Sequence, residues 1–98
     1  MPAYIIARIE VTDAEAYKDY AAQTPGIIES YGGKFIVRGG KAITLEGDKA
    51  LGRMVVVEFP DLETARTFYE SPEYQDVIGI RFANATSELI LVDGLPAA

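Results

Sequence analysis

Between Ala3 and Asp93 the hydrophobic period switches from two to about 3.6 and back, in the order strand, helix, strand, strand, helix, strand. In the first segment Ala3, Ile5, Ala7, Ile9 and Val11 share one face, and Tyr4, Ile6, Arg8 and Glu10 share the other. Thr12 or Asp13 can cap the helix that follows, whose apolar stripe runs through Ala14, Tyr17, Ala21, Thr24, Ile28 and Tyr31. Pro25-Gly26 interrupts that stripe, so a kink is expected, with Thr24 capping a second segment. Gly32-Gly33 closes the helix, because glycine adopts the left-handed terminal conformation at little cost.

Lys34–Arg38 reads as the second strand, with Phe35 and Val37 on one face and Ile36 and Arg38 on the other. Alternation breaks at Gly39-Gly40 and resumes at Ile43 and Leu45, which predicts one long strand with a bulge at the glycine pair. Glu46-Gly47-Asp48 and Gly52 mark a hairpin turn. The third strand, Arg53–Phe59, is almost continuously apolar and is expected to be central. Asp61 caps a helix carrying Leu62, Ala65, Phe68 and Tyr69, and Ser71-Pro72 starts another, short helix. Thr86–Asp93 is the last strand, followed by Gly94 and a frayed tail over Leu95, Pro96, Ala97 and Ala98.

Right-handed crossovers turn this βαββαβ order into a four-stranded antiparallel sheet with its helices on one face. The expected fold is therefore α+β and ferredoxin-like, a split βαβ with an extra short helix before the last strand. With 98 residues the chain suits a single domain, 1–98, with its core at about 3–94. The face left bare should carry Tyr4, Ile6, Arg8, Glu10, Ile36, Arg38, Met54, Val56, Glu58, Glu88, Ile90 and Val92. Its centre is apolar, whereas a solvated sheet face is normally polar. A homodimer through the sheet faces is the expected cover, with the C-terminal tail or a loop as the alternative.

Several chemistries are excluded outright. The chain has no cysteine and no histidine, so thiolate nucleophiles, histidine bases and Cys/His metal sites are impossible. No metal and no cofactor is expected. A net charge of -6 repels phosphate backbones and anionic lipid heads, so nucleic acid and membranes are poor partners. The apolar runs are too short to span a bilayer, and Met1-Pro2-Ala3-Tyr4 enters the first strand without a basic leader. The cytoplasm is the expected location.

The chain also resembles a known family. Tyr31-Gly32-Gly33, Val37-Arg38-Gly39-Gly40, Leu45-Glu46-Gly47, Arg53 with Glu58-Phe59, Ala65 with Tyr69, Ser71-Pro72-Glu73-Tyr74 and Arg81 follow one another as in domain-of-unknown-function family 1330. The resemblance runs from about Tyr4 to Gly94. It implies a ferredoxin-like dimeric α/β barrel, in a wider group that holds small cofactor-free monooxygenases, isomerases and dismutase-like proteins. The family itself has no settled activity, and the histidines used by several of the wider group are missing here.

Four residues are candidates for binding a ligand: Arg38, Arg81, Tyr69 and Tyr74. Arg38 precedes the expected bulge, where a guanidinium could clamp a carboxylate or phosphate; the duller reading is an ion pair with Glu58, Glu88 or a partner-chain acid. Arg81 shares a helix side with Tyr74, Val77 and Ile78, so its charge needs a partner, either a protein carboxylate or an anionic ligand. Tyr69 and Tyr74 flank the helix break and could orient a ligand or simply pack. The catalytic candidates are Glu58, as a general base or as an ion pair across the dimer, and Tyr69. Tyr17, Tyr20 and Tyr31 are read as packing residues. Two functions stay open: a small cofactor-free enzyme acting on a small, anionic organic molecule, and a non-catalytic accessory or scaffolding dimer with an ion-paired interior.

Overall fold

The computed structural model describes residues 1–48 and 52–96. Four strands, β1 (Ala3–Val11), β2 (Lys34–Arg38), β3 (Arg53–Phe59) and β4 (Ala85–Asp93), form one antiparallel sheet in the order β2-β3-β1-β4. Helices α1 (Ala14–Ser30), α2 (Leu62–Glu70) and α3 (Pro72–Asn84) connect them. This is the ferredoxin-like plan, and the extra helix before the last strand is α3. β3 is central, as its apolar run requires.

Local chemistry sets the element ends. Asp13 caps α1 by accepting from the Ala16 amide at 3.1 Å, and Asp61 caps α2 through the Thr64 amide at 2.7 Å. Ser71 caps α3 through the Tyr74 amide, with Pro72 at the start of the helix. Gly32 takes a φ of 83° after α1, and the Gly33 amide donates back to the Ile28 carbonyl at 2.9 Å. α1 is a single helix through Pro25: the Thr24 hydroxyl donates to the Tyr20 carbonyl at 2.6 Å and caps no second segment.

β2 departs from expectation. It ends at Arg38, and Lys41–Leu45 carries no strand. The bulge lies between Phe35 and Val37, not at Gly39-Gly40. As an edge strand, β2 has only β3 to pair with; Gly39, at a φ of 72°, makes the last contact through its amide to the Met54 carbonyl at 2.8 Å and then turns away. The turn expected over Glu46–Gly52 lies partly outside the described residues, as do Ala97 and Ala98 of the tail.

The core lies between the sheet and its helices. Ala3, Ile5, Ala7 and Ile9 of β1 and Val57 and Phe59 of β3 meet Tyr17, Tyr20 and Ile28 of α1. Phe68 of α2 stands 5.3 Å from Phe59 and 4.7 Å from Tyr74 between ring centres, joining α2 to β3 and α3. On the bare face Ile6 pairs with both Val56 and Ile90, and Ile90 is 59% exposed.

Two glycines should respond oppositely to alanine. At Gly33 a Cβ would come within 2.7 Å of the Phe59 ring and 2.8 Å of Ile28, so Gly33→Ala should destabilise by about 1–3 kcal/mol. Gly26, inside α1, has nothing within 4 Å of that position, so Gly26→Ala should stabilise by about 0.5–1 kcal/mol. Denaturant unfolding of both variants tests the pair.

Candidate functional site

The bulge in β2 decides where the first arginine points. Phe35 pairs with Val57, but Val37 pairs with Val56 and Arg38 with Val55. One extra residue at Ile36 therefore reverses the alternation, and Arg38 joins Phe35 on the helix side of the sheet. Its guanidinium lies over the Phe35 ring, 4.4 Å from the centroid, which two residues on opposite faces could not achieve. Arg38 thus leaves the bare face, where the sequence placed it, and Lys34 and Val37 stand there instead. Glu58 and Glu88 are across the sheet from Arg38 and find other partners: Lys34 at 3.3 Å for Glu58, and Arg8 for Glu88.

Arg38 reaches the rim of a cavity of about 80 Å³ between α1 and the sheet. Arg53, first residue of β3, stands beside it, with its guanidinium over Gly39: a Cβ on that glycine would lie 2.8 Å from an Arg53 nitrogen. Both arginines are exposed, so they form the mouth. Farther in, Tyr17, Tyr20 and Tyr74 are buried and line the interior along with aliphatic side chains of β1 and β3. The space holds roughly five to eight waters or a small organic molecule.

Tyr20 and Tyr74 join their hydroxyls at 2.6 Å across the α1–α3 packing. Burial, reinforced by Tyr74, raises the Tyr20 pKa far above the ordinary phenol value, so the group stays protonated. Arg81 sits beside this pair and is 3% exposed. Burial opposes its charge, but the Tyr74 and Tyr20 hydroxyls outweigh that effect and hold its pKa above the ordinary value. One terminal nitrogen donates to Ser87 Oγ, and Nε is buried with no hydrogen-bond partner among the described residues. Of the two partners considered for Arg81, a protein carboxylate is not found: among the described residues none forms an ion pair with Arg38, Arg53 or Arg81.

The cavity therefore gathers Arg38 and Tyr74, with Arg81 behind the tyrosine pair. Glu58 is on the opposite face of the sheet, where the Tyr4 hydroxyl also approaches it at 3.5 Å. Tyr69 packs its ring 5.5 Å from Tyr74 but lines a separate hollow between α2 and β4, beside Arg66 and Leu91. Sequence reasoning gave no site role to Arg53, Tyr17 or Tyr20. Alternation with Val55, Val57 and Phe59 already places Arg53 on the helix side, a signal that could have found it. Among the described residues no group of three or more acidic residues is positioned to hold a metal ion, and no helix is long and apolar enough to cross a membrane.

The tyrosines set an alkaline limit on stability. Tyr20 is raised in the folded state, so its contribution is complete below the unfolded pKa near 10 and is lost as pH rises beyond it. Tyr17 shifts the same way, chiefly through burial, although Arg53 and Arg81 oppose the shift. The unfolding free energy should fall above about pH 10, and Tyr20→Phe should flatten that fall. Urea unfolding at a series of alkaline pH values checks both outcomes.

Comparison with known proteins agrees with this architecture. A protein of unknown function from Rhodopseudomonas palustris is similar at 22% identity, with a TM-score of 0.79 over 98% of this chain and 84% of that one. The cofactor-independent oxygenase SnoaB of Streptomyces nogalater aligns at 17% identity and a TM-score of 0.61, covering 98% and 95% of the two chains. A dimeric protein of unknown function with a ferredoxin-like fold from Bacteroides fragilis aligns at 10% identity and a TM-score of 0.56, covering 95% and 96%. At these identities the likeness establishes the fold. A search of the curated proteins found no match. The model of the family described as domain of unknown function DUF1330 matches residues 2–95, nearly the whole length, and this chain belongs to that family.

Proposed function

We propose that this protein is a cytoplasmic homodimer that binds a small anionic organic molecule in the cavity beneath α1. One observation carries the reading: guanidiniums border an apolar cavity and none has a carboxylate partner among the described residues, in a chain with a net charge of -6. Acids outnumber bases by 15 to 9, yet the described residues of the cavity walls include no acid. A guanidinium keeps its charge at any physiological pH, so an anion is the complement the site lacks. Arg38 and Arg53 hold the anionic group at the mouth. Tyr74 borders the bound molecule, and Arg81 supplies positive potential from behind. Glu58 and Tyr69 have no part in binding from the places they occupy.

A non-catalytic role has its own support: among the described residues the cavity offers donors and cations but no carboxylate to act as a base. The catalytic alternative rests on SnoaB, which performs oxygenation on this fold without a cofactor. Incubating a bound acid with the protein in air separates the two, because only an enzyme changes the mass of the recovered acid.

The bare sheet face and the dimeric Bacteroides fragilis neighbour support dimerisation. Burying Ile6, Ile36, Val56 and Ile90 would contribute roughly 6–12 kcal/mol before the entropic cost of association. Light scattering should give a dimer at micromolar concentration. Ile90→Lys should give a folded monomer, because this side chain is already exposed in the single chain. A parent protein that runs as a monomer would refute the interface.

Thermal melting with a panel of small carboxylates tests the ligand site. Some member should raise the Tm of the parent, and Arg38→Met should abolish the rise while leaving the Tm without ligand nearly unchanged. Arg81→Met should lower the ligand-free Tm as well, since the residue is buried and tied to Ser87. No rise with any carboxylate would defeat the reading.

A further inference from the structure

The polar groups of the cavity are divided between its two ends. At the mouth stand two exposed guanidiniums, Arg38 and Arg53. Inside are Tyr20 and Tyr74, buried side chains whose hydroxyls bond each other, and the walls between are mainly aliphatic and aromatic. A ligand with a single anionic group could satisfy only one of these ends.

A proton count shows what the inner end requires. The two hydroxyls carry two protons, and the 2.6 Å bond between them uses one. The second has no acceptor among the hydrogen bonds of the described residues, and Arg81 can only donate. That O–H remains free to donate, and an oxygen brought by a ligand can accept it in place of solvent. Arg81 strengthens the same preference, because a fixed buried cation favours partial negative charge on whatever accepts the proton.

We infer that the cavity selects a two-ended ligand, a short oxo- or hydroxy-carboxylic acid, whose carboxylate is held by Arg38 and Arg53 while its second oxygen accepts the free hydroxyl proton of the Tyr20–Tyr74 pair. The inference rests on the cavity being the anion site. It adds a recognition element that the arginines alone cannot supply, since they cannot distinguish hexanoate from 5-oxohexanoate. The tyrosines act here as donors: the raised pKa of Tyr20 keeps its proton in place over the physiological range.

Matched acids test it by ligand-observed NMR titration: 5-oxohexanoate against hexanoate, and 4-hydroxybenzoate against benzoate. In the parent, at least one oxygenated acid should bind about tenfold more tightly than its counterpart, the gain from one well-made hydrogen bond. In the double variant Tyr20→Phe/Tyr74→Phe each oxygenated acid should lose that advantage over its own counterpart. If the double variant does not fold, the single variants decide: loss of the preference in either supports the inference, and its retention in both overturns it. Equal binding within each pair by the parent overturns the two-ended ligand but leaves the anion site standing. Failure of all four acids to bind overturns the anion site and the inference with it.

Discussion

Strand β1 pairs along its length with β3 on one side and β4 on the other, and this double pairing imposes order on the rest of the molecule. Side chains of a strand alternate strictly, so fixing Ile5, Ala7 and Ile9 toward the helices also fixes Tyr4, Ile6 and Arg8 toward the bare face. The neighbours inherit the division: Val57 opposes Ile5 on the covered side, and Val56 opposes Ile6 on the other. The small side chains of Ala3 and Ala7 let the helices approach the sheet, and the aromatic residues of the three helices fill the remaining space.

The interior that results is unusual in its charge. A buried cation is normally answered by a carboxylate, because leaving it alone costs several kcal/mol. Arg81 is answered by softer means: a hydroxyl from Ser87, the oxygens of Tyr20 and Tyr74, and the ring of Phe82, 5.0 Å from the guanidinium carbon. These are partial compensations and they leave a net positive potential behind the cavity. The mouth adds Arg38 and Arg53. The cavity of this acidic protein is therefore polarised in one direction, with no carboxylate among its described lining residues.

The bulge at Ile36 shows how little separates the two faces. Without it Arg38 would stand opposite Met54 on the bare face. With it, the same side chain crosses to the helix side, stacks on Phe35 and meets Arg53. A single inserted residue in an edge strand costs one ladder contact and changes the role of a charged group.

Much of the molecule was legible in the chain itself. Period and punctuation identified all four strands and all three helices, Asp13, Asp61 and Ser71 announced their caps, and the apolar character of Ile6, Val56 and Ile90 marked the bare face. These features depend on neighbours within a few residues, so the sequence contains the forces that decide them. What it could not decide were relations between distant segments. The Tyr20–Tyr74 hydroxyl contact joins residues 54 apart, the cluster around Arg81 depends on how α1 packs against α3, and the side taken by Arg38 depends on the register of β2 against β3. Alternation gives a strand two faces but does not say where an extra residue will be accommodated; that is settled by the partner strand, through the backbone hydrogen bonds that either fit or leave one residue over.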